Sequence, residues 1–199
     1  MNIIWVSAQS GNDTTGDGSY ALPYLTLDKA LLVFSSGDQI RLMDGTYIPT
    51  DSVIISGVDG SIFSENPNGA TIQPEKTRTH QACVAILDTS RFSVTGVNII
   101  QAADTTGNLI GLYVENVENF IAYTCDVSNF SFVSGSAYGI FAAGGGRVER
   151  CSVSNLESSG TNLTGIGTKG IQIIDCTADE VSGCADCYTI GMDEDGLIY

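Results

Sequence analysis

A chain of 199 residues, 43% of them hydrophobic, fits one domain with a sizeable core. Its 23 acidic side chains outnumber 8 basic ones, and the resulting net charge of −15 repels nucleic acid, anionic membranes and, unless cations bridge them, polyuronates. No apolar run approaches the roughly 20 residues of a membrane span, and 23 glycines against 4 prolines suit a tightly turning β architecture.

Taken in order, residues 1–7 have neither a basic nor a long apolar segment, so no signal peptide is expected and the fold should start almost at Met1. A polar, turn-rich loop over 7–18 follows a short apolar strand. Residues 23–34 predict one short helix, with Leu27, Ala30, Leu31 and Phe34 on its apolar side and Thr26 as N-cap. Residues 35–38 end it; 39–43 then predict a strand and 44–47 a turn. Short strands are expected at 53–55, 61–63, 70–73 and 83–87.

From residue 92 the sequence repeats. The segments 92–99, 120–127, 146–153 and 171–178 share a frame in which one column reads Val97, Cys125, Cys151, Cys176, spaced 28, 26 and 25 residues apart. Two residues on it reads Ile99, Val127, Val153, Ala178, and five on Ala102, Phe130, Leu156, Val181. A fixed period of this size marks a solenoid, whose repeats bury their apolar faces only against one another. Gly111, Gly139, Gly165 and Gly191 open comparable strands, and variable loops at 101–108, 131–137 and 157–162 separate the rungs. Gln101, Asn129, Asn155 and Glu180 form a further column suited to stacked side-chain amides at turns. The helix at 23–34 is placed as the cover of the first rung. Residues 1–50 are thus read as strand, loop and capping helix leading into the first coil, and 51–199 as coils of one continuous domain. The end at 195–199 reads as an uncapped strand, open to coverage by another subunit.

Several runs resemble the opening of pectin-lyase-like right-handed parallel β-helix proteins. They are Pro23 to Leu31, Ser36 to Leu42 and Asp44 to Tyr47, preceded by Trp5, Val6, Ser7 and the Gly/Asp-rich loop; 111–120 resembles a rung of that family. The resemblance covers nearly the whole chain and implies an all-β, right-handed parallel β-helix solenoid with a short N-terminal capping helix. It says little of function, since the family spans polysaccharide lyases, hydrolases, epimerases and phage tail or capsid proteins.

The chemistry-bearing residues form no recognised constellation. Stacked Cys125, Cys151 and Cys176 act as small buried hydrophobes about 4.8 Å apart, and six cysteines are too few for a disulfide scaffold. Cys184 and Cys187 form a lone C-x-x-C, and with His80 the single histidine no zinc site is expected. A lyase needs a base and neutralising cations, yet Lys29, Arg41, Lys76, Arg78, Arg91, Arg147, Arg150 and Lys169 supply no Lys–Arg pair on adjacent coils. Arg147 and Arg150 are the nearest approach, and a solvated turn accounts for them better. Two carboxylates roughly 5 to 9.5 Å apart would serve glycoside hydrolysis, but Asp88, Glu115, Glu118, Asp175, Asp179, Glu180, Asp193, Glu194 and Asp195 form no diagnostic column. Asp13 with Asp17, or 193–195, could hold calcium through oxygen ligands; neither has a calcium-loop spacing, and no metal or other cofactor is assigned. No catalytic residue is assigned either.

The expectation drawn from this is a non-catalytic virion structural protein, a phage capsid decoration or tail-associated β-helix made in the host cytoplasm. Its partners would be other virion proteins or copies of itself, with a surface glycan as a further candidate and no nucleic acid or membrane. The alternative is a small polysaccharide-active enzyme, lyase or hydrolase, or a glycan-binding β-helix using Tyr113, Tyr123, Tyr138 and Phe141.

Overall fold

A computed structural model describes residues 2–75, 82–100, 110–132, 136–158, 162–183 and 186–192. Strand β1 (Ile3–Val6) is followed by helix α1 (Leu27–Val33) and then by short strands: β2 (Asp38–Leu42), β3 (Gly45–Tyr47), β4 (Val53–Ser56), β5 (Gly60–Ser64), β6 (Ala70–Ile72), β7 (Ala82–Leu87), β8 (Arg91–Thr95) and β9 (Val97–Ile100). The later coils use longer strands, β10 (Ile110–Tyr123), β11 (Asp126–Phe132), β12 (Ser136–Glu149), β13 (Ser152–Ser158) and β14 (Asn162–Lys169). The series closes with β15 (Gln172–Ile174), β16 (Thr177–Ala178), β17 (Val181–Ser182) and β18 (Asp186–Met192).

Every pairing between these strands is parallel. The molecule is the expected parallel β-helix with one short helix. Three faces result. Face one stacks β4, β7, the first halves of β10 and β12, β14 and β18. Face two stacks β1, β2, β5, β8, the second halves of β10 and β12, and β15. Face three stacks β3, β6, β9, β11, β13 and then β16 with β17.

Alternation along each strand sends every second residue inward. On face two the in-register column Ile4, Ile40, Ile62, Val94, Ala122, Val148, Ile173 is buried throughout. On face three Tyr47, Ile72, Ile99, Val127 and Val153 stack in the same way. The register Ile99–Val127–Val153–Ala178 and Phe130–Leu156–Val181 is the register of the sequence repeat. Ala102 and Gln101 of those columns lie outside the described residues.

Corners between faces are made by single left-handed residues, and they too repeat. Asp88 and Asn116 (φ 53° and 55°) stand one coil apart between faces one and two, followed by Gly144 and Gly170. Gly96, Thr124, Arg150 and Asp175 turn face two into face three. Asn129, Asn155 and Glu180 make the third series, with φ of 62°, 52° and 54°. Gly144 is needed for a second reason: a Cβ there would run into the Val117 carbonyl oxygen.

The thiol column occupies the inner side of the second corner. Cys125, Cys151 and Cys176 are free, and each sulfur lies 3.3 to 3.6 Å from the carbonyl two residues before it. Those same carbonyls accept the main-chain N–H groups of Gly96, Thr124 and Arg150 from the neighbouring coil, so the thiols pack against carbonyls already in the ladder.

Helix α1 begins where expected, because Thr26 accepts the Lys29 main-chain N–H on its hydroxyl at 3.1 Å. Leu27 and Ala30 bury its inner side. Pro23 to Leu25 stay outside the helix: Tyr24 pairs with Val6 as an isolated bridge instead. The loops expected over 131–137 and 157–162 are narrower than their Ser/Gly content suggested, because β11, β12, β13 and β14 extend into them and pair Phe132 with Ser158 and Ser136 with Asn162. Strand pairing overrides composition there.

Candidate functional site

On face one the residues that do not enter the main core lie on its far side, where Ala82, Ala85 and Leu87 of β7 are themselves buried in a second small cluster with Ile110 and Tyr113 packed against it. The register places Ile54, Ala85, Tyr113, Phe141 and Gly167 in one outward column across consecutive coils. Tyr113 and Phe141 stack with ring centroids 5.5 Å apart and an interplanar angle of 15°. Tyr138, three residues before Phe141, meets its ring edge-on at 5.1 Å. Gly167 makes room for this: a Cβ there would lie 3.0 Å from the Tyr138 ring. All three rings keep part of their surface in solvent.

Polar groups border the rings. Burial pushes the Tyr113 phenol up to about 12, and its hydrogen bond with the Glu115 carboxylate adds to that effect. The hydroxyl therefore stays a donor toward Glu115 at neutral pH. A hollow of about 450 Å³ opens beside Glu115, between the Asn116–Gly144–Gly170 corner and Lys169. Apolar ring surface with a fixed acceptor, Glu115, that also borders a hollow is a combination that small-molecule sites use.

Three of the four aromatic residues singled out from the sequence thus come together, and Tyr123 does not. It stands at the far end of face two, where Arg150 donates to its hydroxyl at 3.0 Å and covers its ring at 5.9 Å. Arg147 and Arg150 diverge as well, Arg147 forming an ion pair with Glu149 at 2.8 Å. Gly167 and the Tyr113–Glu115 contact carried no visible signal, since only the register reveals which residues of different coils share an outward column.

Many carboxylates act in the backbone rather than at a site. Asp13 accepts from the Leu25 and Thr26 main-chain N–H groups and from the Thr26 hydroxyl. Partial burial opposes its ionisation, but those bonds and the Lys29 charge outweigh it and hold the Asp13 carboxyl below its usual range. Asp17 accepts from the Ser19 N–H. Asp88 accepts from the Asn116 side-chain amide, and Asp126 from the hydroxyls of Ser128 and Ser152. Among the described residues no three metal-ligating side chains converge. His80, Cys184 and 193–195 lie outside the described residues.

No family model and no curated protein matches the chain. Solved structures do match its fold. A rhamnogalacturonan lyase aligns over 96% of this chain and 62% of its own, with a TM-score of 0.64 and 12% identity. A pectin methylesterase from carrot covers 96% and 64%, with a TM-score of 0.54 and 15% identity. Pectin methylesterase PemA from Erwinia chrysanthemi covers 90% and 67%, with a TM-score of 0.53 and 14% identity. The chain therefore spans about two thirds of the length of these structures, and identities this low establish a shared fold and nothing finer.

These matches overturn the expectation of a virion decoration or tail protein, because the structures that share the fold are pectin-active enzymes. That expectation rested in part on an open last coil at 195–199, which lies outside the described residues.

Proposed function

We propose that this chain is a glycan-binding β-helix that holds a saccharide on the outer surface of face one, against Tyr113, Tyr138 and Phe141. The observation that carries the reading is the partly exposed Tyr113–Phe141 stack with Glu115 and its hollow alongside. A sugar offers an apolar C–H face and a rim of hydroxyls. The rings would receive the first, while Glu115 would accept hydrogen bonds from the second. The fold shared with pectin-active enzymes supports the same class of ligand.

The test is a panel of immobilised neutral, amino and acidic oligosaccharides probed with the native chain and with Phe141→Ala. Binding to at least one glycan that the variant loses supports the reading. No binding across the panel, or binding that Phe141→Ala leaves intact, contradicts it. Chromatography of the same incubations reports any shortened product, which would turn binding into cleavage and make Glu115 the first carboxylate to substitute.

A further inference from the structure

The thiol column at the second corner holds chemistry that packing alone does not need. An apolar side chain fills the same place one coil earlier, where Val97 is fully buried. Cys151 and Cys176 occupy equivalent positions on consecutive coils. The register pairs Glu149 with Ile174 just before them and Ser152 with Thr177 just after them. The Thr177 main-chain N–H donates to the Cys151 carbonyl at 3.0 Å. Parallel strands set such partners about 4.8 Å apart, within the roughly 4.4–6.8 Å between Cα atoms that a disulfide spans. Both residues are free thiols.

The Cys176 side chain leans back over the coil of Cys151. Its sulfur lies 3.4 Å from the Val148 carbonyl oxygen and accepts the Cys151 main-chain N–H at 3.4 Å. A donor aimed at the sulfur favours the thiolate, the form that attacks electrophiles. Of the three thiols in the column, Cys176 keeps part of its surface in solvent, whereas Cys125 and Cys151 are buried. The column therefore has one open end. A small oxidant arriving from solvent meets Cys176 first, and the next thiol in the column is Cys151.

We propose that Cys176 is a site of reversible oxidation by peroxides, and that Cys151 captures the oxidised sulfur as a disulfide between coils. With hydrogen peroxide, the Cys176 thiolate first attacks one oxygen: an S–O bond forms and the O–O bond breaks. Hydroxide leaves and becomes water with the proton that Cys176 gave up, and Cys176 is left as a sulfenic acid. The Cys151 sulfur then attacks that sulfur, forming the S–S bond and breaking the S–O bond. The departing hydroxide takes the Cys151 thiol proton and leaves as a second water. Two thiols thus lose two electrons and two protons, and one peroxide becomes two waters. The bridge ties together positions 25 residues apart, one whole turn of the solenoid. It lies at the second corner, apart from face one, and does not depend on the saccharide reading.

The experiment treats the reduced full chain with hydrogen peroxide near neutral pH and blocks the remaining thiols with iodoacetamide. The products are then mapped by mass spectrometry without reduction. Trypsin with Glu-C cuts after Arg150, Lys169 and Glu180, so Cys151, Cys176 and the pair Cys184 and Cys187 fall in separate peptides. The expected product is a linked Cys151–Cys176 pair that dithiothreitol reverses. Cys151→Ala should leave Cys176 as a sulfenic acid that dimedone traps, in severalfold higher yield than from the native chain. Cys176→Ala should slow oxidation of Cys151 at least tenfold, and this change at a partly exposed position decides the matter should the buried substitution disturb folding. A native chain in which Cys176 proceeds to sulfinic acid without a bridge, or bridges to any other cysteine, overturns the inference. Oxidation of Cys151 at an unchanged rate in the Cys176→Ala variant does the same.

Discussion

The Asn155 side-chain amide donates to the Asn129 side-chain oxygen across one coil at 2.6 Å, and both residues hold the left-handed conformation at their corner. Asparagine suits the position twice over. It tolerates positive φ better than other side-bearing residues, and its amide can both give and accept along a column. Asn155→Ala removes the bond and sets a Cβ residue in a strained conformation, a loss of about 1–3 kcal/mol. Asn155→Gly relieves the strain and should lose about 1 kcal/mol. Urea unfolding midpoints at unchanged m-value measure both.

Thr168 points into the core of face one, in register with Ala142, and its buried hydroxyl has no hydrogen-bond partner among the described residues. An unpaired buried hydroxyl costs the desolvation that no partner returns. Thr168→Val keeps the shape and removes that penalty, so the variant should be more stable by about 1 kcal/mol. A lower urea midpoint than the parent chain would mean that the hydroxyl is satisfied after all.

How much of this was legible beforehand follows from what each feature depends on. The inward columns through Val127 and Val153, or Phe130 and Leu156, are local apolar patterns repeated at a fixed spacing, and they gave the architecture, the stacking and even the register. The Thr26 cap is a local signal too. The corner series Asp88, Asn116, Gly144, Gly170 went unseen because its residues share only a backbone conformation, not a chemistry. The aromatic cluster was half visible: Tyr113, Tyr138 and Phe141 could be named, but which faces they share follows from a coil-to-coil pairing that composition does not encode. Tyr123 was grouped with them by residue type alone.

Tyr47 is buried, with its hydroxyl donating toward the carbonyls of Val6 and Met43 at 2.8 and 2.7 Å. Burial pushes its phenol up to about 12 from an ordinary 10. The folded state thus holds this proton more tightly than the unfolded chain does. The associated stability is fully present below pH 10 and is lost as pH rises from 10 through 12. Tyr47→Phe should be less stable at neutral pH by about 1 kcal/mol, with a shallower loss of stability over that alkaline range. Melting temperatures of both proteins between pH 8 and 12 check the slope; identical slopes would contradict the assignment.

Cys176 is the one partly exposed thiol among the four free cysteines described, with Cys83, Cys125 and Cys151 buried. The Cys151 thiol donates to it and holds it down to about 7, while Cys151 itself, enclosed between its two neighbours, is pushed up. Brief alkylation of the native protein with iodoacetamide near pH 7.5, followed by peptide mapping, should label Cys176 well before the other three. Labelling of Cys151 first would show the last coil to be open.

The central claim is that the outer surface of face one holds a saccharide at the Tyr113–Phe141 stack. Titration calorimetry of the tightest glycan from the panel against the native chain and Phe141→Ala tests it most directly. Loss of one aromatic contact of about 0.5–1.5 kcal/mol, together with its buried area, predicts affinity lower by about tenfold or more in the variant, at a similar urea midpoint. Equal affinity in the two proteins would place the glycan elsewhere and contradict the account.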